Sequence, residues 1–306
     1  MSTRDPGALM DVRPAPGAVL ELLKPITWFP PMWAFACGAV SSGVPVLEHW
    51  FFLLSGLILS GPLLCAASQA VNDWFDREVD AINEPQRPIP SGRVPGRWGL
   101  YLALAWSGLS LAWAAALGPL LLCVAFLGLV LAWGYSAPPI RLKQNGWWGN
   151  LACALSYEGF AWIAGAAVML GGGAAEHAHW GRIASLALLY SLGAHGIMTL
   201  NDFKSIAGDR SSNIRSLPVR LGAHRAASFA CVSMAAPQAI VIVLLSSWGA
   251  EWHAAAVGAL LGAQLVLMRH LLEDPRARAP WYNGTGISLY VTGMMISAFA
   301  ARGVAG

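Results

Sequence analysis

Long apolar stretches recur along the whole sequence and constrain its fold more than any other feature. Only 11% of the 306 residues are charged and 56% are hydrophobic, whereas an ordinary soluble domain is about 25% charged. A helix needs about 20 mostly apolar residues to cross the hydrocarbon core of a bilayer. The pattern predicts an all-α membrane protein, a bundle of nine transmembrane helices with cytoplasmic cap loops, at residues 26–46, 50–71, 98–117, 119–137, 148–170, 183–200, 226–248, 252–272 and 285–301.

The basic residues indicate how such a bundle is oriented. All but two of the 19 lysines and arginines fall in the N-terminal segment or in loops after even-numbered predicted helices, the exceptions being Arg182 and Arg302. Because cytoplasmic loops carry an excess of these residues, we expect a cytoplasmic N-terminus and a C-terminus on the opposite side. Residues 1–24 are predicted to form a flexible cytosolic tail, and residues 25–306 a single transmembrane domain. The positive charge follows this topology, so it does not indicate a nucleic-acid partner.

An acidic motif follows the second apolar stretch. Residues 72–80, NDWFDREVD, contain Asp73, Asp76 and Asp80, and a helix that continues through them places all three on one face. Three carboxylates this close repel one another unless a cation lies among them. Taken alone, the motif is more simply explained as the acidic end of a helix in water.

A second copy of the motif favours a cation site instead. Residues 201–209, NDFKSIAGD, repeat the asparagine, the first aspartate, an aromatic residue and the closing aspartate after another apolar stretch. Ser205 replaces the middle acid, and Lys204 stands where the first motif has Phe75. Two acidic helix ends that face each other form a cage for hard divalent cations, and magnesium typically enters such a cage with a phosphate-bearing substrate.

Basic residues near the first motif and after the fourth apolar stretch are candidates for binding a diphosphate. Arg77 lies within the first motif, and Arg87 and Arg93 lie in a proline-rich loop that excludes a regular helix. Arg141 and Lys143 follow the fourth apolar stretch. Guanidinium groups match the geometry of diphosphate oxygens. Positive charge on the cytoplasmic side is an alternative explanation for each of them, and contact with lipid headgroups is one for the last two.

These motifs resemble the UbiA superfamily of intramembrane prenyltransferases over the whole chain. NDxxDxxxD after the second helix and a second aspartate-rich motif after the sixth are specific to that family, and they imply a UbiA-type bundle. Residues 157–159, YEG, are more similar to the bacterial bacteriochlorophyll synthases than to the plant enzymes. Further segments resemble the chlorophyll synthase branch of the family, namely residues 72–77, 80–85, 87–92, 143–147 and 201–204.

The resemblance implies a cofactor, two substrates and a set of site residues. The donor is expected to be geranylgeranyl or phytyl diphosphate, and the acceptor the propionate of bacteriochlorophyllide, which is already ionised at neutral pH and needs no general base. Mg2+ is expected to be held by Asn72, Asp73, Asp76, Asp80, Asn201, Asp202 and Asp209. Those expected to be catalytic are Asp73, Asp76, Asp202 and Asp209. The residues expected to bind the diphosphate are Arg77, Arg87, Arg93, Arg141, Lys143 and Lys204.

Glu158 and His195 are ionisable residues that fall deep inside apolar stretches. Glu158 lies about ten residues into the fifth predicted helix, roughly 15 Å below the cytoplasmic surface, where an ionised carboxylate is costly. We therefore expect it to be protonated or paired, and His195 is the other ionisable residue at that depth. A structural hydrogen bond is one explanation for Glu158. The other is that Glu158 and His195 bind the acceptor, Glu158 through a peripheral carbonyl of the tetrapyrrole.

Other functions stay open at this point. A chlorophyll synthase, or another UbiA-type prenyltransferase with a different acceptor, would share the motifs. A transporter of anionic lipids would need polar residues that continue to the outer face, and a non-catalytic pigment-binding protein would leave the paired acidic motifs unexplained. The expected location is the cell inner membrane or an intracytoplasmic photosynthetic membrane, so the lipid bilayer is itself a partner.

Overall fold

The long apolar stretches form helices, because a chain that crosses a bilayer has to hydrogen-bond its backbone polar groups within the protein. The computed structural model describes residues 13–171 and 179–302. Over these residues the regular elements are helical, and one isolated bridge joins Asn145 and Arg215. The all-α prediction is confirmed.

The helices follow one another with short connections. Two π-helical segments, Leu59–Cys65 and Leu155–Phe160, join α3 to α4 and α7 to α8. A 3-10 segment, Asp202–Ser205, joins α9 to α10. In chain order the α-helices are α1 (Pro16–Leu23), α2 (Phe29–Ser41), α3 (Trp50–Ile58), α4 (Ala66–Asn83), α5 (Trp98–Leu117), α6 (Pro119–Ser136), α7 (Gly146–Ala154), α8 (Ala161–Leu170), α9 (Trp180–Asn201), α10 (Ile206–Ser211), α11 (Leu217–Leu221), α12 (Ala223–Ser247), α13 (Glu251–Glu273) and α14 (Pro275–Ala301).

Eight helical stretches of the described residues are long and apolar enough to cross a membrane, one fewer than predicted. The difference lies at predicted helix 26–46, where α2 has 13 residues and rises only about 20 Å. This helix ends early because the hydroxyl groups of Ser41 and Ser42 bond carbonyls of its last turn. Gly43 then takes a left-handed conformation with φ 80°, which glycine adopts without strain. The count of nine membrane-crossing helices is therefore not confirmed.

The chain divides into two compact units. Within the described residues, the first unit contains residues 13–29 and Ile58–Arg141, and the second contains Pro30–Leu57 and residues 142–171 and 179–302. The first acidic motif thus belongs to the first unit and the second motif to the second unit. The single domain over residues 25–306 stays a prediction.

The first unit packs α1 against α4. Ala18, Leu22 and Leu23 of α1 are buried in a cluster with the alanine-rich face of α4, and Pro16 at the first turn suits a helix start. Residues 13–24 therefore differ from the predicted flexible tail, because α1 buries its apolar face instead of remaining in solvent. The rest of that predicted tail, residues 1–12, lies outside the described residues.

In the second unit, glycines allow α2 and α8 to touch along their backbones. A Cβ atom at Gly38 would collide with the carbonyl of Trp162, and one at Gly165 with the carbonyl of Phe35. Small residues permit this close approach between membrane helices. The Trp162 ring in turn stacks on Tyr190 of α9, with 5.7 Å between ring centroids.

A buried amide pair joins α12 to α13, also in the second unit. Gln238 and Gln264 are fully buried, and their side chains exchange hydrogen bonds of 3.0 and 3.2 Å. A buried amide without partners is costly, so each glutamine stabilises the other in an otherwise apolar contact.

Candidate active site

The two acidic motifs lie at the ends of the two longest helical stretches. Trp50–Asn83 has 34 residues and Trp180–Ser211 has 32, so each rises about 50 Å. The hydrocarbon core of a bilayer is about 30 Å thick. Each motif-bearing helix is therefore long enough to extend beyond the apolar core.

Asp73 is the most deeply buried acid of the first motif, with 2% of its side chain exposed. Its Oδ1 atom lies 2.6 Å from Lys24 Nζ and 3.6 Å from Arg87 Nη1. Its Oδ2 atom is buried without a hydrogen-bond partner. A buried carboxylate with one paired and one unpaired oxygen retains the capacity to bind a further cation or donor.

Asp80, about two turns beyond Asp73 on α4, contacts the same arginine. Arg87 Nη1 donates to Asp80 Oδ2 at 2.9 Å, while Nε and Nη2 donate to both carboxylate oxygens of Glu84 at 2.8 and 2.7 Å. Burial alone lowers the pKa of Arg87, but the Glu84 hydrogen bonds and the charges of Asp73 and Asp80 outweigh it and hold the pKa above its usual value. This guanidinium group is therefore fixed as a cation beside the motif.

Asp76 is held by a different cation. Arg141 Nη2 lies 3.3 Å from Asp76 Oδ1, and Asn72 Nδ2 donates to Asp76 Oδ2 at 3.0 Å. The Asn72 amide also donates to Ser136 Oγ at 3.3 Å. Arg141, at the end of the first unit, thus lies beside the motif, and its binding of a diphosphate stays a prediction.

Two other predicted diphosphate ligands, Arg77 and Arg93, have partners away from these carboxylates. Arg77 lies over the ring of Trp74, 4.3 Å from its centroid, and donates to the Trp74 carbonyl. Arg93 donates to both oxygens of Glu21, at 2.5 and 2.9 Å. This hydrogen bond lowers the pKa of Glu21. Both groups are partly exposed, and their binding of a diphosphate stays a prediction.

In the second motif, neutral side chains hold the acidic residues. Asn150 Nδ2 donates to Asp202 Oδ2 at 3.0 Å, and Asn283 Nδ2 donates to Asn201 Oδ1 at 2.8 Å. The remaining acid, Asp209, is buried, and its Oδ2 atom lies 3.1 Å from Ser205 Oγ.

Ser205, which replaces the middle acid, has a defined structural role. Its Oγ atom lies 3.1 Å from both the Asp202 carbonyl oxygen and Asp209 Oδ2, so it links the first and last acids of the motif. Lys204 beside it is exposed, whereas Lys143 is buried. These two lysines stay predicted diphosphate ligands.

The loop that carries Lys143 is joined to the loop that follows the second motif. Gly146 N donates to Arg215 O, and Arg215 N donates to Gln144 O, each at 3.0 Å. A Cβ atom at Gly146 would lie 2.6 Å from Leu217 N, so glycine is required for this approach. The backbone pairing fixes where α7 begins relative to the second motif.

Glu158 and His195 have different environments. Glu158 is buried in the π-helical segment Leu155–Phe160, and its Oε2 atom has no hydrogen-bond partner; such segments occur frequently at functional sites. His195 Nε2 lies 3.1 Å from the carbonyl oxygen of Trp147, which makes Nε2 the donor because a carbonyl only accepts. The imidazole also packs against the rings of Trp147 and Phe229. Acceptor binding by either residue stays a prediction.

Within residues 13–171 and 179–302, no three histidine, cysteine, aspartate or glutamate side chains are grouped so as to hold a metal ion by themselves. In the first motif the carboxylates are paired with lysine and arginine instead. The donor chemistry nevertheless suits magnesium, since the motifs offer carboxylate and amide oxygens and Asp73 Oδ2 is unpaired. The predicted magnesium ligands stay a prediction.

Comparison with known proteins identifies the family. Residues 27–290 match the model of the UbiA prenyltransferase family. This chain belongs to the UbiA prenyltransferase family. Two solved structures have the same fold, with TM-scores of 0.68 and 0.62 at 18% and 22% identity over 92% and 93% of this chain and 98% and 97% of theirs. They are a digeranylgeranylglyceryl phosphate synthase and a UbiA homolog from Archaeoglobus fulgidus bound to GPP and Mg2+.

Relatives place this UbiA family member in the chlorophyll and bacteriochlorophyll synthase branch. It is 56% identical to a bacteriochlorophyll synthase 33 kDa chain from Cereibacter sphaeroides, over 95% of both chains. It is 53% identical to the protein of the same name from Rhodobacter capsulatus, over 99% of both chains. A chloroplastic chlorophyll synthase from Oryza sativa is 38% identical, over 92% of this chain and 76% of the relative. The resemblance inferred from the motifs is confirmed.

Sequence reasoning missed several residues that contact the motifs in this UbiA family member. Lys24, Asn150 and Asn283 lie 49, 52 and 82 positions from the motif residues they contact. Because Lys24 falls in the segment predicted to be a flexible tail, its sequence context gave no reason to expect a contact with Asp73. The two asparagines are polar residues in largely apolar helices, and that polarity was the available signal.

Proposed function

We propose that this chain transfers a geranylgeranyl or phytyl group from its diphosphate to the propionate carboxylate of bacteriochlorophyllide. Two relatives named bacteriochlorophyll synthase, at 56% and 53% identity, support this acceptor. The lower identity to a plant chlorophyll synthase, 38%, favours bacteriochlorophyllide over chlorophyllide. The structural observation that carries the proposal is the buried Asp73, whose carboxylate has one oxygen paired with Lys24 and one unpaired.

The residues of the motifs fit magnesium. Carboxylate and amide oxygens are the hard donors that Mg2+ takes in phosphate-binding sites, and a related UbiA homolog was solved with GPP and Mg2+. When bound, Mg2+ would offset negative charge on the departing diphosphate. The proposed ligands are Asn72, Asp73, Asp76, Asp80, Asn201, Asp202 and Asp209.

The cations of the first unit serve the same chemistry. Lys24 and Arg87 favour the ionised form of the acids beside them, which is the form that binds a metal. Arg87 and Arg141 also present guanidinium groups, which bind phosphate oxygens with directed hydrogen bonds. We therefore propose Arg87 and Arg141 as the main ligands of the diphosphate. The other proposed diphosphate contacts are Arg77, Arg93, Lys143 and Lys204.

The transfer balances without a proton. A propionate oxygen forms a bond to C1 of the allylic prenyl group, and the bond between C1 and the diphosphate oxygen breaks. The electron pair of that bond leaves with the diphosphate, so the products are the ester and free diphosphate. Because the propionate is ionised at neutral pH, the chain needs no general base.

Positive charge that develops on the prenyl group has to be shielded from water. The apolar helices of the bundle supply that shielding. Glu158 is proposed to contact a peripheral carbonyl of the tetrapyrrole, and its buried, unpaired Oε2 atom supports a polar ligand. His195 is bonded to the Trp147 carbonyl, so we propose that it shapes the acceptor side of the site rather than exchanging protons with the acceptor.

The proposal is tested with membranes that contain the chain. They are incubated with Mg2+, geranylgeranyl diphosphate and an equal mixture of bacteriochlorophyllide and chlorophyllide, and the pigments are separated by chromatography. We expect prenyl ester to form mainly on bacteriochlorophyllide. Ester on chlorophyllide alone would assign a chlorophyll synthase, and retention of pigment without any ester would assign a pigment-binding protein.

We also propose that the N-terminus and the loop at residues 85–95 face the cytoplasm and the C-terminus faces the opposite side, in the cell inner membrane or an intracytoplasmic photosynthetic membrane. In a background without native cysteines, an impermeant thiol reagent on sealed vesicles should reach Gln86→Cys and Arg302→Cys from opposite sides. Labelling of both from one side would contradict nine membrane crossings, including one through the short helix α2.

A further inference from the structure

Asn150 is a buried amide that touches the second acidic motif. Its side chain is on α7, and the residue is 6% exposed. Nδ2 donates to Asp202 Oδ2 at 3.0 Å and to Thr199 Oγ1 at 3.3 Å. Both N–H groups of the amide therefore have partners on the helix that leads into the motif.

The hydrogen-bond pattern determines which way the amide points. Thr199 Oγ1 donates its own proton to the carbonyl of His195, at 2.9 Å, so towards Asn150 it acts as an acceptor. An ionised Asp202 carboxylate is also only an acceptor. Because Thr199 Oγ1 and the Asp202 carboxylate are both acceptors, the nitrogen of the Asn150 amide faces them, and its oxygen does not.

The position of Asn150 is fixed by the start of α7. Asn145 Oδ1 accepts the backbone N–H of Trp147 and caps the helix. Gly146 is bonded to Arg215 in the loop beyond the second motif, and the Trp147 carbonyl accepts from His195. The start of α7 is thus bonded to the segment that carries the second motif on both sides of Asp202, at His195 before it and at Arg215 after it.

We propose that Asn150 is a positioning residue for Asp202: it holds the carboxylate in one orientation as a ligand of the divalent cation. This inference rests on the proposed function, because it concerns the metal site assigned there. Residues that bond to a metal ligand fix its orientation, and their loss typically weakens metal affinity about 10- to 100-fold.

The test measures metal binding directly, with Mn2+ as the probe. Free Mn2+ is titrated by electron paramagnetic resonance against the full-length protein in detergent, without substrates. Asn150→Leu keeps a side chain of similar size and removes both donors, so we expect its dissociation constant for Mn2+ to rise about 10- to 100-fold. Thr199→Val removes one hydrogen-bond partner of the Asn150 amide and should raise the dissociation constant for Mn2+ less.

Gln264→Leu is the matched control. It also removes a buried amide from a helix contact, the pair with Gln238, and should lower the unfolding temperature without changing Mn2+ affinity. Mn2+ affinity unchanged in Asn150→Leu would overturn the inference. If Asn150→Leu does not accumulate as folded protein, Thr199→Val decides the same question.

Prenyl transfer by the unaltered protein separates this inference from the proposed function. Ester formation together with an Asn150→Leu variant that binds Mn2+ normally would overturn the role of Asn150 alone. Weakened Mn2+ binding in Asn150→Leu, with no ester formed by the unaltered protein, would support the role of Asn150 and overturn the proposed reaction.

Discussion

The two acidic motifs share a sequence pattern but differ in the groups that hold them. In the first unit, each of the three aspartates lies within 3.3 Å of a lysine or arginine nitrogen. In the second unit, Asp202 and Asp209 accept hydrogen bonds from the neutral side chains of Asn150 and Ser205. The difference follows the number of aspartates, because the first motif has three and the second has two.

This comparison indicates how each motif would meet the proposed divalent cation. Carboxylates packed together on one helix face repel one another, and nearby cations offset that repulsion. A divalent cation at the first motif therefore has to compete with Lys24 and Arg87. Neutral hydrogen bonds orient the carboxylates of the second motif. We expect the second motif to attract the divalent cation more strongly.

The largest expected effect comes from removing one carboxylate from either motif. Asp73→Asn and Asp202→Asn should each lower the rate of ester formation by about 100-fold or more, on the scale of losing one strong electrostatic contact in an active site. Mn2+ affinity should fall more in Asp202→Asn than in Asp73→Asn. The matched control is Asp274→Asn, which replaces the capping acid of α14 with another good capping residue and should leave both quantities unchanged. The reverse order of Mn2+ affinities would contradict the comparison.

Removing the cation beside Asp73 should destabilise the first unit. Lys24→Met leaves a carboxylate that is 2% exposed without its 2.6 Å partner, and loss of one member of a buried ion pair typically costs about 3 kcal/mol or more. Added Mn2+ should recover part of this loss by taking the place of the lysine. Denaturant unfolding in detergent measures it, with Arg276→Met, at an exposed cation, as the control. Equal stability of Lys24→Met and the unaltered protein would show that the pair has no energetic role.

A smaller effect is expected when the second motif is given a third acid. Ser205→Asp places a carboxylate beside Asp209, where Ser205 Oγ now lies 3.1 Å from Oδ2. Without divalent cations, repulsion between the like charges should lower the unfolding temperature of Ser205→Asp. Adding Mn2+ should then raise its unfolding temperature more than it raises that of the unaltered protein. Ser211→Asp adds the same charge at an exposed position of α10 and should do neither. If Mn2+ raises the unfolding temperature of Ser205→Asp no more than that of the unaltered protein, the number of carboxylates does not decide which groups hold each motif.

The smallest effect is expected from the exposed pair of Arg93 and Glu21. The pKa of Glu21 is lowered by its hydrogen bond from Arg93, so the pair adds stability above the pKa of the unfolded chain, about 4.3, and loses it as the pH falls further. Because exposed ion pairs contribute little, Glu21→Gln should leave unfolding and ester formation at neutral pH unchanged. A large loss of stability or activity in Glu21→Gln would contradict this small contribution of the pair.

Local sequence patterns were sufficient for the long apolar helices and for both motifs. Apolar runs specify membrane helices because hydrocarbon offers no other hydrogen-bond partners, and the repeated spacing identified the acids. The short α2 was missed because two serine hydroxyls and Gly43 end it inside an apolar run. The partners Lys24 and Asn150 were missed because tertiary packing, not spacing, brings them to Asp73 and Asp202.

We propose that the two motifs serve one prenyl transfer. A double variant that removes one aspartate from each motif tests this proposal most directly. The rate of ester formation from geranylgeranyl diphosphate and bacteriochlorophyllide is measured for the unaltered protein, Asp73→Asn, Asp202→Asn and the double variant. Residues that act as a unit are strongly non-additive, so we predict a double variant about as slow as the slower single variant. A double variant slowed by the product of the two single effects, or single variants that retain full rate, would contradict the account.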